Sequence, residues 1–363
     1  MPSYFIDPSL DSDTGTGTLS DPYGDLQYAI STAGQNTSAG NIYNIKSGTA
    51  EVLEGSLSLW SSHIMYGTTI RGYDSVEDDG GRAEIDCDGF SFYTAATAEG
   101  LVLQNLDIHN CTGDALVLDR YCYVANCSFS DIGANAIEVG DESHIIGCHI
   151  HDVGGMGISM EDDSTRDNIN VSNCFLHDSS TRAMTVAIDG SINAVGNIIA
   201  IKGGIGIRTG FDGSNASIVG NSILSTDATG STGISINRGW NVNGVAYNLV
   251  EGFTTGLDVS STADDAFGAF VYNGFFNCTT DTDIHSNLIH VGAEDNESLP
   301  STPFAKSGTL GISTVADYFA PNDVGNVYAP AGSLVPRYKG AICPSVTGGG
   351  GGGSTLHPLR STR

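Results

Sequence analysis

The chain has 363 residues, with 42 acidic and 14 basic side chains, a formal net charge of −28, 48 glycines and only 15% charged residues. Average domains carry about 25% charged residues and about 7% Gly, so this chain is charge-poor and Gly-rich, as an all-β protein dense in turns would be. The charge excludes nucleic acid, because phosphate contacts need Lys and Arg to displace counterions, and no apolar run reaches the roughly 18 residues of a membrane span.

Met1–Ser20 contains no Lys or Arg and no apolar run, so it does not read as a Sec leader, which needs both. Residues 25–34 follow, with Leu26, Ala29, Ile30 and Ala33 at helical spacing and a Gly stop at Gly34. Such a helix suits the end of a sheet stack, whose bare edge would otherwise pair with other chains.

A short unit then recurs. It begins with Asn, Gly or Tyr and places an apolar side chain three residues later. Copies start at Asn105, Asn126, Gly147, Asn173, Gly196, Gly220, Tyr247 and Tyr272, at intervals of 21 to 27 residues. A second unit trails by about ten residues and reads small–apolar–x–apolar: Ala115–Leu118, Ala136–Val139, Gly157–Met160, less cleanly Gly206-Ile207, then Gly233–Ile236 and Gly256–Val259. Alternation marks strands with one buried face, and the Gly, Asn, Asp and Ser between them tolerate turns. The period is too short for propeller blades of about 40 to 45 residues and lacks the leucine-rich frame. The pattern predicts a parallel β-helix of stacked coils. Residues 1–60 are expected to form the cap and first coils, 61–290 the coils, 291–347 a C-terminal cap segment, and 348–363 a linker and tail.

Stacking turns register into geometry. The position after each anchor gives Leu106, Cys127, Cys148 and Cys174, facing inward with Ile108, Phe129, Ile150 and Leu176. Free Cys packs as a small hydrophobe, and no C-x-x-C pair points to a metal ribbon or redox motif. The outward positions carry Asp107, His149 and Phe175 in one column and His109, His151 and His177 in the next, followed by Asn110, Asp131, Asp152 and Asp178. Coil spacing places His151 about 4.8 Å from His177. Asp107, His109, His149, His151, Asp152, Phe175, His177 and Asp178 are the candidate carbohydrate- or partner-binding face. No catalytic set and no metal site is assigned; stacked aspartates must be protonated, paired with His⁺ or bridged by a cation, which leaves calcium open as a cofactor.

A second acidic cluster comprises Asp119, Glu138, Asp141, Glu142, Glu161, Asp162 and Asp163, with Arg166 and Arg182 near in sequence. Carboxyls one or two coils apart approximate either spacing used by glycosidases. Finally, Gly348–Gly353 reads as a linker, and residues 324–363 carry four basic and no acidic side chains. Leu356, His357, Leu359, Arg360 and Arg363 are expected to form an assembly tail.

Tyr4–Asp7, the SDPYGDLQYAI run at 20–30, IKSGTAEV at 45–52 and the repeats to about residue 290 resemble the entry and coils of the pectate-lyase-like right-handed parallel β-helix superfamily. FAKSG at 304–308 and YFAPNDVGNV at 318–327 resemble uncharacterised β-helix proteins of environmental bacteria and phage-like genomes. The resemblance implies a right-handed helix. It also implies alternative functions: a virion spike, fibre or decoration protein binding glycans or other virion subunits, a calcium-dependent polysaccharide lyase or glycosidase, or a bacterial cell-surface protein. The polygalacturonase motifs are missing apart from Asp162-Asp163. The tail and the absence of a leader favour the virion protein at an extracellular surface; a homotrimer suits such rods, although no coiled-coil heptads specify one.

Overall fold

The computed structural model describes residues 1–10, 14–33, 40–57, 67–94, 99–140, 142–160, 168–179, 182–185, 191–209, 216–226, 230–237, 243–260, 267–284, 289–291 and 296–298. The assembly tail, and most of the expected C-terminal cap segment, therefore lie outside the described residues.

Among the described residues the strands form three sheets of 12, 11 and 9 strands, paired in parallel with each strand beside its counterpart in the next turn. One turn shows the plan. A first-sheet strand, Tyr123–Ala125, leads through Asn126 to the second-sheet strand Ser128–Ile132 and on to the third-sheet strand Ile137–Val139. The two recurring sequence units are the second and third sheets. The first sheet escapes that reading, although its alternation stands directly before each anchor, as in Ile169/Val171 and Ile192/Ala194, all buried. With three sheets closing around it, the interior is one continuous apolar core from Ile6 to Phe275.

The anchors have a backbone reason. Asn105, Asn126, Gly147, Asn173, Gly196, Gly220, Tyr247 and Tyr272 all adopt φ between 54° and 66°. This left-handed region suits Gly and is tolerated by Asn. Tyrosine is the costly choice there, and Tyr247 and Tyr272 stack on one another with ring centroids 5.2 Å apart, a contact that offsets part of the strain. A second left-handed column, Asn110, Asp131, Asp152 and Asp178 at φ 53° to 62°, closes the second sheet. The aspartate column is therefore first a turn requirement.

The small residue opening each third-sheet unit is a packing requirement. A Cβ on Gly233 would stand 2.4 Å from Val250 Cγ1, and one on Gly256 2.3 Å from Phe275 Cδ1. Neither fits an interior packed at crystal-like density.

The expected capping helix is present as α1 (Leu26–Ala33). Leu26, Ala29 and Ile30 are buried in the common core. Asp25 accepts the Tyr28 N–H at 2.5 Å, and the buried Glu51, from the first strand of the second sheet, accepts the Leu26 N–H at 2.8 Å. Both carboxyls answer the unpaired N–H groups of a helix start. Burial, aided by the charge of Asp25, pushes the Glu51 carboxyl up to about 7 despite the Leu26 hydrogen bond.

Two chemistries share the inner column behind the anchors. Cys127, Cys148 and Cys174 are buried free thiols, as the inward reading requires; burial raises the Cys127 and Cys174 thiols. From the next turn the same column becomes Asn197, Asn221, Asn248, Asn273 and Asn296, an amide ladder the sequence reading missed. Each Nδ2–H donates to the next Oδ1 at 2.8 to 3.0 Å. The other Nδ2–H donates to a first-sheet carbonyl, such as Val171 O or Ala194 O.

Candidate functional site: two outer sheet faces

The second sheet presents the histidines. His149 and His151 lie one turn before Phe175 and His177, and parallel register sets His149 beside Phe175. The His149 ring stacks on Phe175 at 5.0 Å and 6°, and His151 stacks on His177 at 4.9 Å and 2°. Across the diagonal, His149 Nε2 and His177 Nε2 stand 2.9 Å apart. Each left-handed aspartate turns back onto the histidine before it. His151 Nδ1 lies 2.8 Å from Asp152 Oδ2, and His177 Nδ1 2.7 Å from Asp178 Oδ2. Burial first, then the neighbouring imidazoles of His151 and His177, push His149 down to about 4. The His177 hydrogen bond lowers the Asp178 carboxyl.

Of the eight residues assigned to this face, six are brought together: His149, His151, Asp152, Phe175, His177 and Asp178. The other two stand apart. Asp107 and His109 lie two turns earlier, separated by Ser128 and Ser130, and His109 pairs with Glu84 at 3.2 Å. The expected outward exposure also fails for Phe175 and His177, which are buried. Interleaved aromatic rings on adjacent turns cover one another, which sequence spacing alone does not reveal.

The third sheet presents opposite charges. Register runs Val117, Glu138, Ser159, Thr185, Arg208, Ser235, Asp258 and Asp283 along one column. Arg182 lies on the turn before Arg208, in register with Ile205. The two guanidinium groups are close enough for the second to feel the first. Burial, and then the Arg182 charge, lower Arg208. Asp258 is raised by burial and by Asp283. Asn135 Nδ2 donates to Glu138 Oε2 at 3.3 Å.

Of the second acidic cluster, Glu138 sits on this face. Asp119 lies 3.5 Å from Arg120 Nε, and Glu142 is an exposed turn residue at φ 52°. Asp141, Glu161, Asp162, Asp163 and Arg166 lie outside the described residues. Arg208 and Asp258 escaped the sequence reading. Their signal was present in the third-sheet repeat, whose Gly206-Ile207 copy carries Arg208 at the outward x position.

Residues 119–276 match the family model for a right handed beta helix region. No curated protein sequence matches the chain. Among solved structures, pectate lyase Pel9A superposes with a TM-score of 0.60 at 12% identity, over 94% of this chain and 96% of that one. A rhamnogalacturonan lyase superposes with a TM-score of 0.51 at 12% identity, over 82% of this chain and 87% of that one. At such identity the likeness is one of fold.

Proposed function

We propose, from the chain's place in the pectate-lyase-like right-handed parallel β-helix superfamily, that it acts on an acidic polysaccharide laid along the outer face of the third sheet. One observation carries the reading: Arg208 stands at an outward third-sheet position, and Arg182, three positions earlier in register on the preceding turn, is near enough that its charge lowers Arg208, in a chain of net charge −28. A guanidinium doublet matches a uronate carboxylate in charge and in its fork of donors.

Neutralising a uronate carboxylate acidifies the proton on the neighbouring ring carbon. Removal of that proton forms the ring double bond and expels the glycosidic oxygen, so the chemistry is β-elimination. Arg208, its guanidinium lowered by burial and by the Arg182 charge, is the group proposed to take the proton. Among the described residues no three His, Cys, Asp or Glu side chains converge on a metal position. The structures it resembles include two whose names are those of lyases, which supports the kind of activity and leaves the substrate to experiment. A virion-borne spike is the second reading; its support is the linker and basic tail at 348–363, and no observation on the described residues adds to it.

The test is incubation with polygalacturonate, a rhamnogalacturonan and neutral glycans, followed by ultraviolet absorbance and retention on the same immobilised polymers. The expected result is unsaturated product from a uronate polymer, reduced at least about hundredfold by Arg208→Ala or Arg182→Ala, in line with loss of a preorganised charge. Retention without product would reduce the reading to glycan binding. Absence of both would remove it.

A further inference from the structure

We infer that the outer face of the second sheet carries an acid-operated latch: the His149 and His177 rings hold one another across a single proton and part when both become cations, uncovering Phe175. The latch does not rest on the arginine face. The two Nε2 atoms stand 2.9 Å apart, within the range of an ordinary hydrogen bond. Only one proton fits on that line. The contact lasts while one of the two rings is neutral and lends a bare nitrogen. With both protonated, two N–H donors and two positive charges face each other at the same distance.

The surroundings decide which ring leaves. His177 is buried, and its Nδ1 lies 2.7 Å from Asp178 Oδ2, so a carboxylate stands ready to balance a positive charge on that ring. The flat contact with His151, at 4.9 Å and 2°, holds it in place. His149 is half-buried and is kept by the His177 contact and by stacking on Phe175 at 5.0 Å and 6°. Among the described residues, His151, His177 and Arg82 act against a charge on His149, and Asp152 acts in its favour. Lys202 acts on Asp178 from the far side. The neighbouring strand sets Ser128 in register with His149 and brings no charge. Burial first, then the nearby cations, hold His149 down to about 4, so the pair opens below the range in which a free imidazole titrates. As His149 swings toward solvent it uncovers the Phe175 ring, only 7% exposed in the closed face. Acid thus turns a covered aromatic stack into open apolar and cationic surface.

The full chain, isotope-labelled, is followed by NMR from pH 8 to pH 4. The His149 nitrogens are expected to take up their proton with a midpoint well below about 6.5, the ordinary imidazole value. The Phe175 ring protons, shifted by the imidazoles stacked on them, should move with the same midpoint. These readouts need no variant to fold. His149→Gln gives the comparison, because its side-chain amide offers an N–H to His177 Nε2 and does not titrate. The native state holds His149 neutral, so the stability this ring contributes is whole above about pH 6.5 and is lost as pH falls toward the lowered value. Between pH 7 and pH 5 the urea-unfolding equilibrium constant of wild type should therefore rise at least about tenfold more than that of His149→Gln. A His149 midpoint at the ordinary value, Phe175 resonances that stay still through the His149 titration, or equal pH dependence of wild type and His149→Gln would each overturn the latch.

Discussion

The early turns, from Asn126 to Asp178, and the later turns, from Gly196 to Phe276, share one backbone plan and fill it with different chemistry. In the early turns the inner column is thiol and the outer second-sheet positions carry Ser, His and one Phe, with Asp at the closing turn. In the later turns the inner column is amide, and the outer positions include Ile198 and Leu224, both buried. The difference shows which requirements belong to the fold and which do not. The left-handed anchor, the alternation and the small corner residue recur in both halves. The inner column needs only a side chain that fits, and it can be satisfied by sulfur packing or by a closed hydrogen-bond chain.

The two solutions differ in what their loss costs. Asn221 accepts the Asn197 N–H and Nδ2–H, and it donates to Ala194 O and Asn248 Oδ1. Asn221→Leu keeps the volume and orphans several buried groups, each worth about 1–3 kcal/mol. The expected loss is about 4 kcal/mol in urea unfolding, the largest effect of a single inner-column change. A loss near 1 kcal/mol would mean that the amides pack as the thiols do, and the contrast between halves would collapse.

The capping end offers a contrast by pH. Glu51 sits buried under α1 with its carboxyl at about 7, raised by burial. Its folded value lies above the unfolded one, so the native state holds the extra proton. This contribution is greatest at low pH and is lost as pH rises from the unfolded value toward the folded one. Between pH 5 and pH 7 the loss amounts to about 2 kcal/mol. Glu51→Gln still offers an oxygen to the Leu26 N–H and removes the titration. The difference in stability between Glu51→Gln and wild type should therefore move by about that amount across the window, in the variant's favour as pH rises. A constant difference would place the Glu51 charge in solvent.

How much of this was legible in the chain follows from range. The anchors and the alternation are local: Asn or Gly at a left-handed turn and apolar residues two apart can be read without knowing what stacks on them. The coils, the capping helix and the inward cysteines were readable for that reason. The first sheet is equally local, in Ile169/Val171 and its counterparts, but its copies merge into the anchors and do not stand out as a separate unit. The sites are different. The meeting of His149 with His177 depends on ring orientation across turns of unequal length, and the neighbourhood of Arg182 and Arg208 depends on register between strands. Neither leaves a periodic trace. The amide ladder left one, an Asn after each anchor from Gly196 onward, but its meaning comes only when side chains close the chain of hydrogen bonds.

The boundary between the columns supplies the finest test. The Cys174 N–H already donates to Asn197 Oδ1 at 2.9 Å, which is the backbone half of a ladder step, and the Cys174 thiol points at Ile145 O at 3.6 Å, where a ladder amide would place Nδ2. Cys174→Asn therefore extends the ladder by one rung, with Asn197 Oδ1 above and Ile145 O behind as ready acceptors. Stability should stay within about 1 kcal/mol of wild type, since two new hydrogen bonds offset the desolvation of the amide. Cys127→Asn lacks such a neighbour, because the next side chain in its column is the Cys148 thiol, and burial of an unmatched amide should cost at least about 2 kcal/mol. Urea midpoints of the two variants decide the point. Equal losses would show that the ladder is not propagated by its nearest rung, and that the change from sulfur to amide between Cys174 and Asn197 has no energetic boundary.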